Sequence, residues 1–263
     1  MTENRLTAQI PQELEGKRAV VTGGSRGIGA AIAQRLLDAG ATVVTAARNP
    51  HADTPSAAKF VSADLSTPDG VREFAATALE TLGGVDIVVN NAGGVRAFPS
   101  ALDLEEDWQY SVDVNFLSAV RLNAALVPSM RASGGGVIVH LSSFATISPH
   151  PLLLHYAAAK SALDIYNKGL AVQLAPEGIR VVAVSPGRIA TPGADEALLK
   201  MSEQLGVAVE MDSDSDEWVG DIPLGRIGRS QDIAEAVGFL VSPRASFVSG
   251  TTLAIDGGQA AAL

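Results

Sequence analysis

The sequence predicts an α/β fold: a parallel, doubly wound sheet of seven strands with helices on both faces. Two observations carry that prediction. Short β-branched apolar runs alternate with longer segments of helical period, and a glycine-rich turn joins the first such run to the first helix. At 263 residues and 47% hydrophobic content the chain can bury one large core. One domain over 1–263 is expected.

The elements follow in order. Residues 18–22 read as the first strand and 28–39 as a helix ended by Gly40. Strands follow at 42–46, 59–62 and 85–89, with a helix over 70–81 before the last of these. Their unbroken apolar character suits strands covered on both faces. A long helical stretch over 104–132, broken near Asn115, leads through Gly134-Gly135-Gly136 to a fifth strand at 137–141. A helix over 155–174, a strand at 180–184, a helix over 232–241 and a closing strand at 252–255 complete the pattern. Residues 1–16 read as a frayed polar lead-in with no signal-peptide or transit-peptide character.

Segment 191–223 breaks the alternation, and insertions at the carboxyl edge of such sheets usually cover a ligand site. It is expected to cover a substrate. Its acids at 210–217 imitate the start of a calcium loop, but Glu217 stands where that loop needs glycine and Pro223 where it needs a bidentate acid. No metal is expected. A formal charge of -10 disfavours nucleic acid and anionic membrane surfaces as partners. No run of apolar residues is long enough to predict a membrane span. The absence of cysteine excludes disulfides and thiolate chemistry, and a cytoplasmic location is expected.

Thr22-Gly23-Gly24-Ser25-Arg26-Gly27-Ile28-Gly29 lies between a strand and a helix. Gly23 permits a tight turn, Gly27 lets backbone approach a pyrophosphate, and Gly29 lets helix and sheet pack closely. A dinucleotide in a Rossmann-type fold is the expected ligand. The turn, with Asp64, Asn90-Asn91-Ala92-Gly93, Asn115, Ser143, Tyr156-Ala-Ala-Ala-Lys160 and Pro186-Gly187, resembles the short-chain dehydrogenase/reductase family in order and spacing over nearly the whole chain.

Tyr156 and Lys160, four apart, project from one helix face and can address one ligand. A phenol working near neutral pH needs its anion stabilised, and the Lys160 ammonium is expected to do that. Ser143, at the end of the fifth strand, can donate a hydrogen bond to a carbonyl oxygen that gains negative charge. Ser142 would point the other way if the strand continued. The resemblance implies further roles. Lys160 would hold the nicotinamide ribose, Asn115 a relay water, and Asp64 beside Leu65 the adenine amine. Asn91-Ala92-Gly93 would form the adenine-side turn, and Pro186-Gly187, with Ile189 and Thr191, would anchor the carboxamide. It also implies a homotetramer. His140 departs from the family, which often has asparagine there.

The second strand ends Ala46-Ala47-Arg48, with no acid to bind a ribose 2'-hydroxyl. Arg48, and Arg26 by family geometry, can pair with a 2'-phosphate, so NADP(H) is the expected cofactor. The expected activity is hydride transfer between nicotinamide and a small-molecule carbonyl or secondary alcohol, with Tyr156 as general acid/base. Residues 95–98, 144–154 and the cover would touch substrate, and His150, Leu152, Leu153 and Trp218 suggest an apolar or aromatic ketone. A 3-oxoacyl-(acyl-carrier-protein) reductase and a non-catalytic NADP(H)-binding regulator are the alternatives. The close Tyr/Lys spacing disfavours a divergent enoyl reductase, and Arg26 in place of a middle glycine disfavours the epimerase branch.

Overall fold

The computed structural model describes residues 12–96, 102, 105–194, 199 and 222–262. Its elements are β1 (Arg18–Thr22), α1 (Gly27–Asp38), β2 (Thr42–Ala47), β3 (Lys59–Ser62), α2 (Pro68–Leu82), β4 (Ile87–Asn90) and α3 (Glu105–Val112). A π-helical turn (Asp113–Leu117) leads to α4 (Ser118–Ala132), β5 (Gly136–Leu141), α5 (Leu154–Leu174) and β6 (Ile179–Pro186). Then come β7 (Ile189–Ala190), β8 (Gly228–Arg229), α6 (Ser230–Val241) and β9 (Thr252–Ile255). Seven parallel strands form one sheet in the order β3-β2-β1-β4-β5-β6-β9.

Adjacent strand residues serve opposite faces because side chains alternate across a sheet. Val21, Val89 and Val139 pack with Ile32 and Leu36 of α1 and Ile233 and Val237 of α6. Val20, Val88 and Ile138 pack instead with Phe74 of α2, Leu126 of α4 and Leu170 of α5. The order reverses between β1 and β4, and ligands of such sheets bind beyond the strand carboxyl ends at that switch.

The expected boundaries moved by a few residues where side chains or pairing extended an element. Helix α2 starts at Pro68, because the Thr67 hydroxyl accepts from Gly70 N–H at 3.0 Å and proline suits the first turn. Strand β6 continues to Pro186, which aligns with Ile255 of β9. The lead-in expectation needs correction within the described residues. Leu14 is only 1% exposed within the α1/α6 core, its N–H donates to Ala39 C=O, and Glu13 pairs with Arg244 at 2.9 Å.

The expected break near Asn115 is present as the π turn between α3 and α4. A second small sheet, β7 with β8, was not anticipated. Most of 191–223, including the acidic 210–217 stretch and Trp218, lies outside the described residues, as do 97 and 98. Among the described residues no helix is long and apolar enough to cross a membrane.

Candidate active site

Thr22 ends β1 and acts as a fastener for two loops. Its hydroxyl donates to Val89 C=O and accepts from the N–H groups of Asn91 and Ala92. The Asn91 amide donates to Thr22 C=O at 2.9 Å and to Gly23 C=O at 3.2 Å, tying the turn after β4 to the glycine turn. The observed contacts of Asn91 are thus structural. The glycine identities are set by crowding: a Cβ on Gly29 would lie 2.2 Å from Gly23 C=O, and one on Gly24 would lie 1.9 Å from Thr45 Oγ1. Gly23 and Gly27 also hold positive φ angles of 67° and 56°.

These residues fit a dinucleotide pyrophosphate. Helix α1 begins with no side-chain cap and no acid in its first turn, so its first N–H groups and the positive end of its dipole remain available to an anion. Ser25 is buried, and its carbonyl accepts from Thr54 Oγ1 at 3.1 Å. Ile28 packs against the α1/α6 core. Thr191 lies across from the turn, its Cβ and Cγ2 each 3.4 Å from where a Cβ on Gly27 would stand.

The two arginines expected to meet a 2'-phosphate stand in different settings. Arg48 is exposed just beyond β2, with its carbonyl accepting from Ser62 Oγ. Arg26 is the N-cap residue of α1, and one guanidinium nitrogen lies 3.9 Å from the position of a Cβ on Gly193. Asp64 accepts from Ser66 N–H at 3.0 Å and Ser66 Oγ at 2.7 Å. The Ser66 hydrogen bonds, helped by the Arg48 charge, hold its carboxyl below the ordinary range. Leu65 beside it is buried in the α2/α4/α5 core.

At the carboxyl end of β5 the chemical groups converge. The Ser143 hydroxyl is near enough to the Tyr156 phenol to favour its anion, and Ser143 Oγ accepts from Ala145 N–H at 3.1 Å. Lys160 Nζ lies 5.8 Å from the Tyr156 ring centroid and donates to Leu141 C=O at 2.7 Å. A Cβ on Gly93 would stand 2.8 Å from Asn115 Oδ1 and 3.5 Å from Lys160 Nζ, so Asn115, Lys160 and Gly93 enclose one small space. Asn115 is 2% exposed; its Oδ1 accepts from Gly94 N–H, and its amide donates to Gly94 C=O and Ser111 C=O.

One electrostatic expectation is corrected. Burial raises the Tyr156 phenol above its ordinary value, and the Ser143 hydrogen bond offsets only part of that rise. Burial also pulls Lys160 down to about 8, with Asp164 acting in the opposite sense. Desolvation weakens both charged forms before any ligand arrives. The pair is placed as the spacing predicted, yet the phenol is not acidified.

The loop from Pro186 to Thr191 is fastened on both sides. Pro186 is buried at the end of β6, and Gly187 N–H donates to Ile255 C=O. Ile189 aligns with Gly228 across the small sheet. Ser142 follows the end of β5 rather than extending it, and its buried hydroxyl has no partner. The Leu141 carbonyl and the Gly94 backbone, which position Lys160 and Asn115, were missed in sequence because backbone groups leave no residue-type signal. His150 is exposed, and its Nδ1 accepts from Leu152 N–H. Among the described residues no cluster of three metal-ligating side chains occurs.

The sheet order, the helices on both faces and the glycine turn at the switch define a Rossmann-type α/β protein. Residues 23–260 match a family profile described as enoyl-(acyl carrier protein) reductase. The chain is 35% identical to glucose 1-dehydrogenase 2 of Bacillus subtilis, covering 94% of this chain and 96% of that protein. L-sorbose reductase from Gluconobacter frateurii, solved with NADPH and L-sorbose, superposes with TM-score 0.86 at 32% identity, covering 94% and 98% of the two chains. A 3-ketoacyl-(acyl-carrier-protein) reductase from Brucella melitensis, solved with NADH, gives TM-score 0.82 at 34% identity and coverage of 94% and 99%. The chain belongs to the short-chain dehydrogenase/reductase family of oxidoreductases.

Proposed function

We propose that this protein is an NADP(H)-dependent oxidoreductase interconverting a small-molecule carbonyl and the matching secondary alcohol, with Tyr156 as general acid/base. One observation carries the reading: Lys160 Nζ lies 5.8 Å from the Tyr156 ring and, with Asn115, borders the space beside Gly93, next to the strand end that leads into Ser143. In it, residues 1–263 form one catalytic domain with 191–223 as substrate cover. The site consists of Asn115, Ser143, Tyr156 and Lys160. The enzyme works as a cytoplasmic homotetramer.

Residues of the glycine turn, from Gly23 to Gly29, would hold the pyrophosphate. Leu65 and the Asn91-Ala92-Gly93 turn would flank the adenine half with Asp64, and the loop from Pro186 to Thr191 would anchor the carboxamide. When bound, the nicotinamide supplies or accepts the hydride. Ser143 donates a hydrogen bond to the substrate oxygen, and Tyr156 delivers a proton to it in reduction or removes one in oxidation. Lys160 would hold the nicotinamide ribose, and its ammonium near the Tyr156 ring would lower the cost of the phenolate. Because the Asn115 side chain is occupied by Gly94 and Ser111, a relay water would be met by the backbone of the π turn, where regular helical pairing is interrupted.

Two likenesses favour a substrate panel rather than a single compound. Sugar relatives and a 3-ketoacyl reductase stand at similar distance, so glucose, L-sorbose and an acetoacetyl thioester are tested with both NADP(H) and NAD(H) by absorbance. Turnover with at least one pair is the expected outcome, and none with any of them would refute the substrate classes. Arg48→Ala should weaken NADPH binding about tenfold, leaving NADH within about twofold, since one charge-assisted contact to a 2'-phosphate is lost. Equal loss for both would remove the NADP(H) assignment.

A further inference from the structure

A buried chain of polar side chains runs beneath the site. Asn90 at the end of β4 donates to Asn123 Oδ1 of α4 at 2.9 Å, and Asn123 Nδ2 lies 3.0 Å from His140 Nε2 of β5. His140 Nδ1 lies 3.1 Å from Asn167 Oδ1 of α5, and Asn167 Nδ2 donates to Thr251 C=O at 3.3 Å. None of the four side chains is more than 5% exposed.

The direction of every bond follows from its last member. A carbonyl cannot donate, so the Asn167 nitrogen must face Thr251 and its oxygen must face His140. Nδ1 of His140 is then the protonated nitrogen, and Nε2 accepts from Asn123. Four donors therefore point one way, from β4 through α4 and β5 to α5, and the leftover acceptor, Asn90 Oδ1, stays buried without a partner. Such a chain has one polarity and hence one register.

We propose that His140 is a positioning residue for the reaction: its neutral ring fixes α5, which carries Tyr156 and Lys160, against β5, whose end leads two residues later to Ser143. Leu141, the next residue, holds Lys160 through its carbonyl, while His140 holds Asn167, two helical turns further along the same face. Adjacent β5 residues thus grip α5 at two separated points. The Asn123 bond extends the grip to α4, which continues from the π turn holding Asn115. Small displacements between a proton donor and its hydrogen-bond partner lower turnover steeply.

This inference rests on the Tyr156 reading, and the test separates the two. His140→Leu removes both ring bonds, whereas His140→Asn keeps a donor toward Asn167 and an acceptor toward Asn123. Using NADPH and the carbonyl compound turned over fastest in the panel above, H140L should lower kcat about 30-fold, with NADPH Kd, read by fluorescence, within about threefold of wild type. H140N should recover kcat to within about threefold. Wild-type kcat in H140L, a change confined to KM or NADPH Kd, or an H140N defect as large as that of H140L would each overturn the proposal. If H140L does not fold, Asn167→Ala opens the same bond from α5, and wild-type kcat there overturns it as well. Tyr156→Phe is run beside them: if it keeps turnover, the acid/base reading fails, and if it is inactive while H140L is not, only the His140 inference fails.

Discussion

The two edges of the central sheet treat polar side chains in opposite ways. At the amino-terminal edge, Arg18 donates to both oxygens of Asp86 at 2.8 and 3.0 Å, to Gly83 C=O and to Ser133 Oγ. Arg180 there donates to the carbonyls of Val248, Leu240 and Ser242. At the carboxyl edge, the buried Ser142 Oγ and Asn90 Oδ1 have no partner, Tyr156 is pushed up and Lys160 is pulled down. Groups that satisfy one another hold a fold together. Groups left incomplete, at a cost in stability, keep capacity for a ligand.

The contrast can be broken by exchanging the two outcomes. Tyr156→Phe at the carboxyl edge should lower kcat about 1,000-fold, since general acid/base catalysis contributes roughly 10²–10⁴. Its melting temperature should stay within about 2 °C, because the ring and its packing remain. A large loss of stability with turnover retained would reverse the roles assigned to the two edges.

Acid should weaken the carboxyl half first. His140 is pulled down to about 4, by burial first and by the Lys160 charge, against an ordinary 6.5, while the Asn167 bond acts to raise it. The Asn123 amide and the Tyr166 ring also face it. Below pH 6.5 the unfolded chain takes up a proton that the folded chain refuses until about pH 4, so stability falls as pH drops through that window. The difference is about 3 kcal/mol at full extent. Urea unfolding at pH 6.5 and pH 4 measures it, and H140N should flatten the slope by a comparable amount. An unchanged slope would mean that other groups dominate.

The smallest effect belongs to the amino-terminal edge. Asp86→Ala strands the half-buried Arg18 guanidinium and should cost about 2 kcal/mol, or roughly 4–8 °C in Tm. Turnover per folded molecule should not change. A kcat defect in folded D86A would show that the two edges are coupled.

Sequence periodicity was enough to place all seven strands of the large sheet, because buried parallel strands and amphipathic helices differ in spacing. The site was legible wherever chemistry needs a particular residue at a particular interval, as with Tyr156 and Lys160. It was not legible where position depends on distant partners. Leu14 looked like part of a polar tail until α1 and α6 were placed beside it. His140 stood out only as a departure, since Asn123 and Asn167 meet it from helices 17 and 27 residues away. The direction of the Tyr156 shift was misjudged because four-residue spacing reports proximity and says nothing of dryness.

The two-residue pairing of β7 with β8 bears on how readily this framework accepts changes in chain length. Ile189 and Ala190 lie alongside Gly228 and Arg229, so the two ends of the connection between them are held side by side. The entropy of closing a connection whose ends are pinned together grows only slowly with its length. A connection anchored in this way can change in length at little expense to β6 or α6.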